Sequence, residues 1–246
     1  MKDIMVKAKK KEGMFVAATE GGKSGVPAVR VFHEHAKIYD SWYENSLVFA
    51  IELAALQSLQ TVMKGPGIEI GVGPGRFARE IGLEFGLDPA WKPLVLACRR
   101  GIQCCQGVGE QLPLRDRAMG RIYLLFTLCF TRDPQKVLAE CCRCLRDDGH
   151  LVIGMIPAGG EWGKLLAAKK TAGHLFYKHA NLYTTEELQQ WLAGAGLVIR
   201  EKRSTLYQAP DHPEKKEAPR NILDERAGFV VILAGKGYGQ DHNTDD

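Results

Sequence analysis

Apolar positions along this chain follow two rhythms that take turns. Over residues 31–63 the rhythm is helical: Tyr39, Trp42 and Tyr43 lie three or four apart, and Leu47, Ile51, Ala54, Leu59 and Met63 continue the same side. Ile68 and Ile70 then form a short buried step, a brief helix is predicted over 76–80, and a second apolar stretch, 83–87, ends in Asp88. A helix reaching Arg100 is stopped by Gly101, and strands are predicted over 102–106 and 121–126. Asp133-Pro134 opens a helix carrying Val137, Leu138, Cys141, Cys142 and Leu145 at helical spacing, after which the Asp148-Gly149 turn leads into a strand over 151–156. Thr184-x-x-Glu187 is a capping box ahead of Leu188, Trp191, Leu192 and Ala195. Two closing strands, 197–207 and 229–234, are separated by a polar, proline-bearing linker. Strands that alternate with helices predict an α/β fold, one sheet with helices on both faces.

The chemistry concentrates at Glu69 to Phe77, E-I-G-V-G-P-G-R-F, where a strand turns into a helix. Glycines at 71, 73 and 75 leave a floor without side chains, and the amides opening the next helix offer unpaired donors. A dinucleotide loop would need its third glycine where Arg76 stands. The strand instead ends in a carboxylate, Glu69, which suits an ammonium and repels a pyrophosphate, so S-adenosylmethionine fits and an NAD-dependent reductase is disfavoured. Asp88, at the end of the next strand, is placed to accept hydrogen bonds from ribose hydroxyls or to cap the following helix.

This Glu-x-Gly-x-Gly-x-Gly pattern resembles motif I of the class I S-adenosylmethionine-dependent methyltransferases. Tyr39-Asp40-x-Trp42-Tyr43 is similar to the Y-D-x-W segment preceding motif I in the methyltransferase type 11 group, and Glu110-x-Leu-Pro, Asp133-Pro134 and Asp148-Gly149 follow in family order. The resemblance covers about residues 32–235. It implies a Rossmann-like, seven-stranded mixed sheet of order 3-2-1-4-5-7-6 with the last strand antiparallel, S-adenosylmethionine as cofactor and S-adenosylhomocysteine as product. It implies that Glu69 meets the methionine ammonium, that Gly71, Val72, Gly73 and Gly75 surround it, and that Asp88 holds the ribose. Val108, Gly109 and Glu110 would border the adenine, and Phe126 and Thr127 the methionine moiety. Tyr39 and Tyr43 are candidates for an aromatic lid, and Cys129, His174 and Tyr177 for the acceptor side.

Two positions depart from the family: Val108 stands where an acidic residue commonly takes the adenine amino group, and Met119-Gly120 where Phe-Asp commonly opens the fourth strand. They motivate a second reading, a protein that keeps the fold and binds the cofactor without turnover.

Composition alters this picture little. With 246 residues and 45% hydrophobic content, one large α/β domain is expected, and a formal charge of +4 gives no nucleic-acid signal. The charged start lacks a secretory pattern, and no apolar run reaches the roughly 18 residues a membrane span needs, since Glu52 breaks the run 47–56. A cytoplasmic protein acting on a small-molecule acceptor is the expectation. Seven cysteines are then mostly thiols, and Cys141-Cys142-x-Cys144 points its sulfurs in diverging helical directions, which favours core packing over a metal site. Residues 1–30 read as a flexible basic segment whose Gly21-Gly22-Lys23-Ser24-Gly25 imitates a phosphate loop without its first glycine. The single domain spans 31–235, with a helical cap at 31–64 and a lid insertion at 157–183, and residues 236–246 form a loose tail. His33 and His35 read as solvent-facing.

Overall fold

The computed structural model describes residues 27–210 and 215–237, together with Met5, Ala8–Lys11, Met14–Ala17 and Pro213. The glycine-rich stretch 21–25 and residues 238–246 lie outside the described residues. Nine strands form one sheet: β1 (Ala8–Lys11), β2 (Met14–Ala17), β3 (Gly67–Ile70), β4 (Phe85–Asp88), β5 (Gln103–Gln106), β6 (Met119–Leu125), β7 (Leu145–Met155), β8 (Leu197–Thr205) and β9 (Phe229–Lys236). Their order is β1-β2-β5-β4-β3-β6-β7-β9-β8. Counted from β3, the last seven strands run 3-2-1-4-5-7-6, with β9 antiparallel to both neighbours, as the resemblance implies.

The hairpin β1-β2 is an addition. A segment expected to be irregular carries two short strands, and β2 pairs in parallel with β5 through Phe15↔Cys105 and Val16↔Gln106. It covers the edge that a seven-stranded sheet would leave open at β5.

Strand periodicity sorts the core onto two faces. Ile122 and Leu124 of β6, Leu151 and Ile153 of β7 and Ile232 and Ala234 of β9 point to one side, while Tyr123, Leu125, Val152, Val231 and Leu233 point to the other. The first face is covered by α6 (Pro134–Cys144) and α8 (Thr185–Gly194), through Val137, Leu138, Leu188 and Leu192. Cys141 and Cys144 are buried there as packing groups, and Cys142 is half-buried beside them. The second face is covered by α3 (Leu47–Gln57), α4 (Arg76–Glu80) and α5 (Trp91–Arg99), through Ile51, Ala55, Phe77, Leu94 and Ala97.

Local signals set the helix ends. Asp133 accepts from the Lys136 amide and is followed by Pro134, and both halves of the Thr184/Glu187 box are made. The cap starts earlier than expected, with α1 (Pro27–Glu34) and α2 (Ala36–Ser41) ahead of α3. The turn at Asp148-Gly149 is a bulge inside β7: Leu145 pairs with Met119 and His150 with Arg121, leaving the residues between them opposite Gly120.

Gly120 has a steric reason for replacing the family's aspartate. A Cβ there would run into the Lys64 carbonyl and come within 2.9 Å of the Gly65 Cα. The chain leading into β3 passes directly against β6 at this point, and no side chain fits between them.

Candidate functional site

Parallel pairing of β3 with β4, Glu69 opposite Gly86 and Ile70 opposite Leu87, brings the two strand ends side by side. The Gly71 and Val72 amides both donate to the Leu87 carbonyl, at 2.7 and 3.0 Å, which folds the glycine turn over the neighbouring strand. Gly71 has φ +76°, and a Cβ there would collide with the Thr127 side chain. Gly75 plays a different part from the one expected. Its Cβ would lie 2.9 Å from that of Ala97, so it seats the loop on α5 and does not border the cleft.

The other ten residues implied for the cofactor do border one cleft, of about 120 Å³. Glu69, Gly71, Val72 and Gly73 come from the turn, Asp88 from β4, Val108, Gly109 and Glu110 from the loop after β5, and Phe126 and Thr127 from the end of β6. This is the carboxyl edge of the sheet, where open α/β folds take ligands.

Two carboxylates dominate its electrostatics. Glu69 is 3% exposed, and its Oε2 is buried without a hydrogen-bond partner among the described residues. Burial pushes its carboxyl well above the usual range, partly offset by the Ala78 amide and reinforced by Asp88. Burial likewise raises Asp88 to about 6, against two backbone donors that favour its charge. Those donors are the Ala90 amide to Oδ1 at 2.7 Å and the Gly73 amide to Oδ2 at 2.9 Å. Asp88 is therefore a clasp between the glycine turn and β4; the cap position of α5 is Ala90, which makes no side-chain bond.

The remaining walls are structural as well as lining. Glu110 accepts the Arg132 amide at 2.9 Å and Thr127 Oγ1 donates to the Ile70 carbonyl at 2.9 Å, so both brace the cleft. Gly109 leaves room for Val137, whose methyls would be 3.1 Å from a Cβ. Phe126 holds φ +54°, a conformation rare outside glycine, while its ring stacks on Phe229 at 5.0 Å.

A second, larger cleft of about 230 Å³ opens beside the first, and Phe32, Tyr39, Tyr43, Phe126, Thr127 and Phe130 border both. The Tyr39 and Tyr43 hydroxyls are hydrogen-bonded at 2.7 Å on this shared wall. Cys129 and Tyr177 line the second cleft. Cys129 Sγ donates to the Phe126 carbonyl at 3.2 Å, and burial pushes its thiol up to about 12. His174 does not line it. Its Nδ1 accepts the Phe176 and Tyr177 amides at 3.3 and 3.4 Å, and its ring lies 4.9 Å from that of Tyr177, so it shapes the lid from behind.

The insertion after β7 contributes α7 (Glu161–Thr171) and a 3-10 turn, Tyr177–His179, and supplies Trp162, Leu166, Lys169, Phe176 and Tyr177 to this wall. Cap and lid meet at Phe176, which is buried against Phe32, Tyr39 and Trp42 at centroid distances of 5.2, 5.7 and 4.9 Å.

Sequence reading passes over two features. Arg76, which stands where a dinucleotide loop has its third glycine, pairs with Asp40 at 2.7 Å; Asp40 also binds Arg100 at 2.9 Å, and Arg100 donates to the Pro74 carbonyl at 2.7 Å. Burial would raise the Asp40 carboxyl, but Arg76 and Arg100 hold it below the usual range. This network bolts the cap to the glycine turn. The other is Glu52 of α3, 6% exposed and lining the second cleft.

The first cleft fits S-adenosylmethionine: an unpartnered carboxylate oxygen for an ammonium, a glycine floor for close approach, and a second carboxylate on the neighbouring strand. Known proteins agree. A family described as methyltransferase domain matches residues 68–153. An uncharacterized protein of Mycobacterium tuberculosis is 40% identical over 213 residues, covering 85% of this chain and 75% of its own. Another, of Methanocaldococcus jannaschii, is 32% identical over 85% of this chain and 100% of its own. A solved structure from Thermotoga maritima, described as an S-adenosylmethionine-dependent methyltransferase and possible histamine N-methyltransferase, superposes with a TM-score of 0.80 at 29% identity, covering 85% of this chain and 100% of that one. Geranyl diphosphate C-methyltransferase of Streptomyces coelicolor, solved with S-adenosylhomocysteine, shares the fold at a TM-score of 0.54 and 16% identity, over 80% of this chain and 86% of its own. Motif, topology and relatives converge: the chain belongs to the class I S-adenosylmethionine-dependent methyltransferases.

Proposed function

We propose that the protein transfers the methyl group of S-adenosylmethionine to a small-molecule acceptor seated in the second cleft. The observation that carries this reading is the pair of clefts sharing one wall. A cofactor whose ammonium meets Glu69, whose ribose meets Asp88 and whose adenine lies along Val108 and Gly109 would present its sulfonium toward Phe126 and Thr127, where the acceptor cleft begins.

Transfer would be an in-line displacement: an acceptor lone pair bonds to the methyl carbon as the carbon–sulfur bond breaks and its electrons stay on sulfur. Positive charge at sulfur is neutralised as S-adenosylhomocysteine forms. Tyr39, Tyr43 and the lid ring Phe176 would exclude water and hold the two reactants in line. Val108 supports the second reading, binding without turnover, because one side-chain hydrogen bond to adenine is missing, worth about 0.5 to 1.5 kcal/mol. Gly120 does not support it, since the close approach of Lys64 accounts for that residue.

Calorimetry with S-adenosylmethionine and with S-adenosylhomocysteine tests the proposal. Both should bind, and Asp88→Ala should weaken each by at least tenfold. No heat at millimolar ligand, or binding of undiminished strength by Asp88→Ala, would overturn the cofactor placement. Binding together with no methyl transfer to any small-molecule acceptor would favour the second reading.

A further inference from the structure

The second cleft is walled mainly by rings and aliphatic groups, yet one carboxylate faces it. Glu52 lies on α3 beside Ile51, which packs on the sheet, while Glu52 itself turns toward the cleft. At 6% exposure it makes no hydrogen bond and no ion pair among the described residues. Lys169 is the one basic residue among those lining the cleft, and it lies 5.9 Å from the centre of the Tyr177 ring. Glu52 is thus a buried acid that packing does not require, since a leucine or glutamine would occupy the position without the cost of removing a carboxylate from water.

Aromatic faces surround the same space. Tyr39, Trp42, Tyr43, Phe126, Phe176 and Tyr177 all line it, with Trp42 and Tyr177 stacked at 5.9 Å. A carboxylate among aromatic faces attracts a cation by charge and by ring quadrupoles together, and repels a carboxylate or phosphate. We propose that the acceptor is an amine, that it enters as the ammonium paired with Glu52, and that Glu52 takes its proton before methyl transfer.

The step balances. Arrival of the ammonium ionises Glu52, whose own acid proton passes to water, and the paired ammonium then gives one proton to a Glu52 oxygen, leaving a neutral amine and a neutral acid. The freed nitrogen lone pair bonds to the methyl carbon of S-adenosylmethionine while the carbon–sulfur bond breaks toward sulfur. The products are a methylated ammonium and S-adenosylhomocysteine, and Glu52 keeps the proton after they leave until the next ammonium displaces it.

The groups around Glu52 permit this. Tyr43 lies within electrostatic reach of it from the cap and Tyr177 from the lid, and Tyr39, Lys169 and Cys129 line the same cleft. Burial first, then Tyr39 and more weakly Glu52 and Glu69, raises the proton affinity of the Tyr43 phenol, so Tyr43 stays neutral. Burial raises Glu52 to about 8, within the range where an acid exchanges protons with an amine near neutral pH.

This inference rests on the cofactor placement, and one experiment separates the two. S-adenosylhomocysteine is titrated into the wild type and Glu52→Gln; with it saturating, 2-phenylethylamine and hexylamine are each titrated against the alcohol of the same skeleton. Both proteins should bind S-adenosylhomocysteine alike, which also shows that the near-isosteric variant is folded. The wild type should bind the amines at least tenfold more tightly than the alcohols, and Glu52→Gln should lose that preference. With S-adenosylmethionine, the wild type should form the N-methylamine and the variant should slow at least a hundredfold. Equal binding of amine and alcohol by the wild type, no binding of either, or a preference surviving in Glu52→Gln overturns the amine proposal while leaving the cofactor site standing. Failure of S-adenosylhomocysteine to bind the wild type overturns the cofactor placement itself.

Discussion

Single residues in this protein carry meanings that depend on what lies within a few ångströms. Gly120 departs from the family, and from sequence alone the departure reads as a lost brace. Its position against the Lys64 carbonyl makes it a steric requirement. Restoring the family residue should therefore harm the protein: Gly120→Asp is expected to lower stability by about 1 to 3 kcal/mol, the usual cost of overpacking, measured from urea midpoints. An unchanged or raised midpoint would show that the chain before β3 moves aside easily. Gly75 illustrates the same dependence. The motif places it with the ligand-facing glycines, whereas Ala97 makes it a packing residue of α5.

At the scale of elements, the cap is the piece whose attachment matters most. Helix α2 reaches the glycine turn through Asp40, which holds Arg76 and Arg100 with side-chain exposures of only 14%, 22% and 16%. Removing the acid leaves two poorly solvated guanidiniums without their partner. Asp40→Ala should cost about 2 kcal/mol and also weaken S-adenosylmethionine binding, since Tyr39 adjoins Asp40 and Arg76 opens α4 directly after the turn. Hydrogen exchange should show α2 opening more readily with the sheet unaffected. Protection in α2 equal to the wild type would mean that the aromatic contacts around Phe176 hold the cap without the ion pairs.

For the molecule as a whole, several buried acids set how stability responds to pH. Glu52 and Asp88 are raised by burial to about 8 and about 6, and Glu69 is raised well above the ordinary carboxylate range. The folded state therefore keeps protons that the unfolded chain releases once pH passes the ordinary carboxylate values. The contribution of these acids should be greatest below that point and fall as pH rises toward 8, whereas that of Asp40, Glu201 and Asp224, held below the ordinary range by their partners, is lost as pH falls. Each tenfold difference in proton affinity corresponds to about 1.4 kcal/mol, so Glu52→Gln should remove on the order of 2 to 4 kcal/mol of the loss between pH 5 and 8. Denaturant midpoints of wild type and variant at the two pH values measure this directly. Parallel pH profiles would mean that Glu52 is solvated more freely than its burial indicates. The same acids give the molecule a reason to bind cationic ligands, since an ammonium at Glu69 or Glu52 relieves the cost of ionising each.

What the chain determined by itself was whatever depends on neighbours in sequence. The glycine turn, the acid that ends β4 and the one next to the end of β3, the Asp133-Pro134 start and the Thr184/Glu187 box are local chemistry, and each appears where the residues predict it within a residue. Alternating helices and strands likewise specified the layers, because period 2 and period 3.6 each commit a segment to facing a core. Tertiary structure decided which groups meet across long separations in sequence. It added the β1-β2 edge, set His174 behind the lid and closed the cap through Asp40. It also made Glu52, which in sequence only interrupts an apolar run, into a buried acid facing an aromatic cleft. Burial is a property of the assembled layers, and it is burial that turns an ordinary glutamate into a chemical group of a different kind.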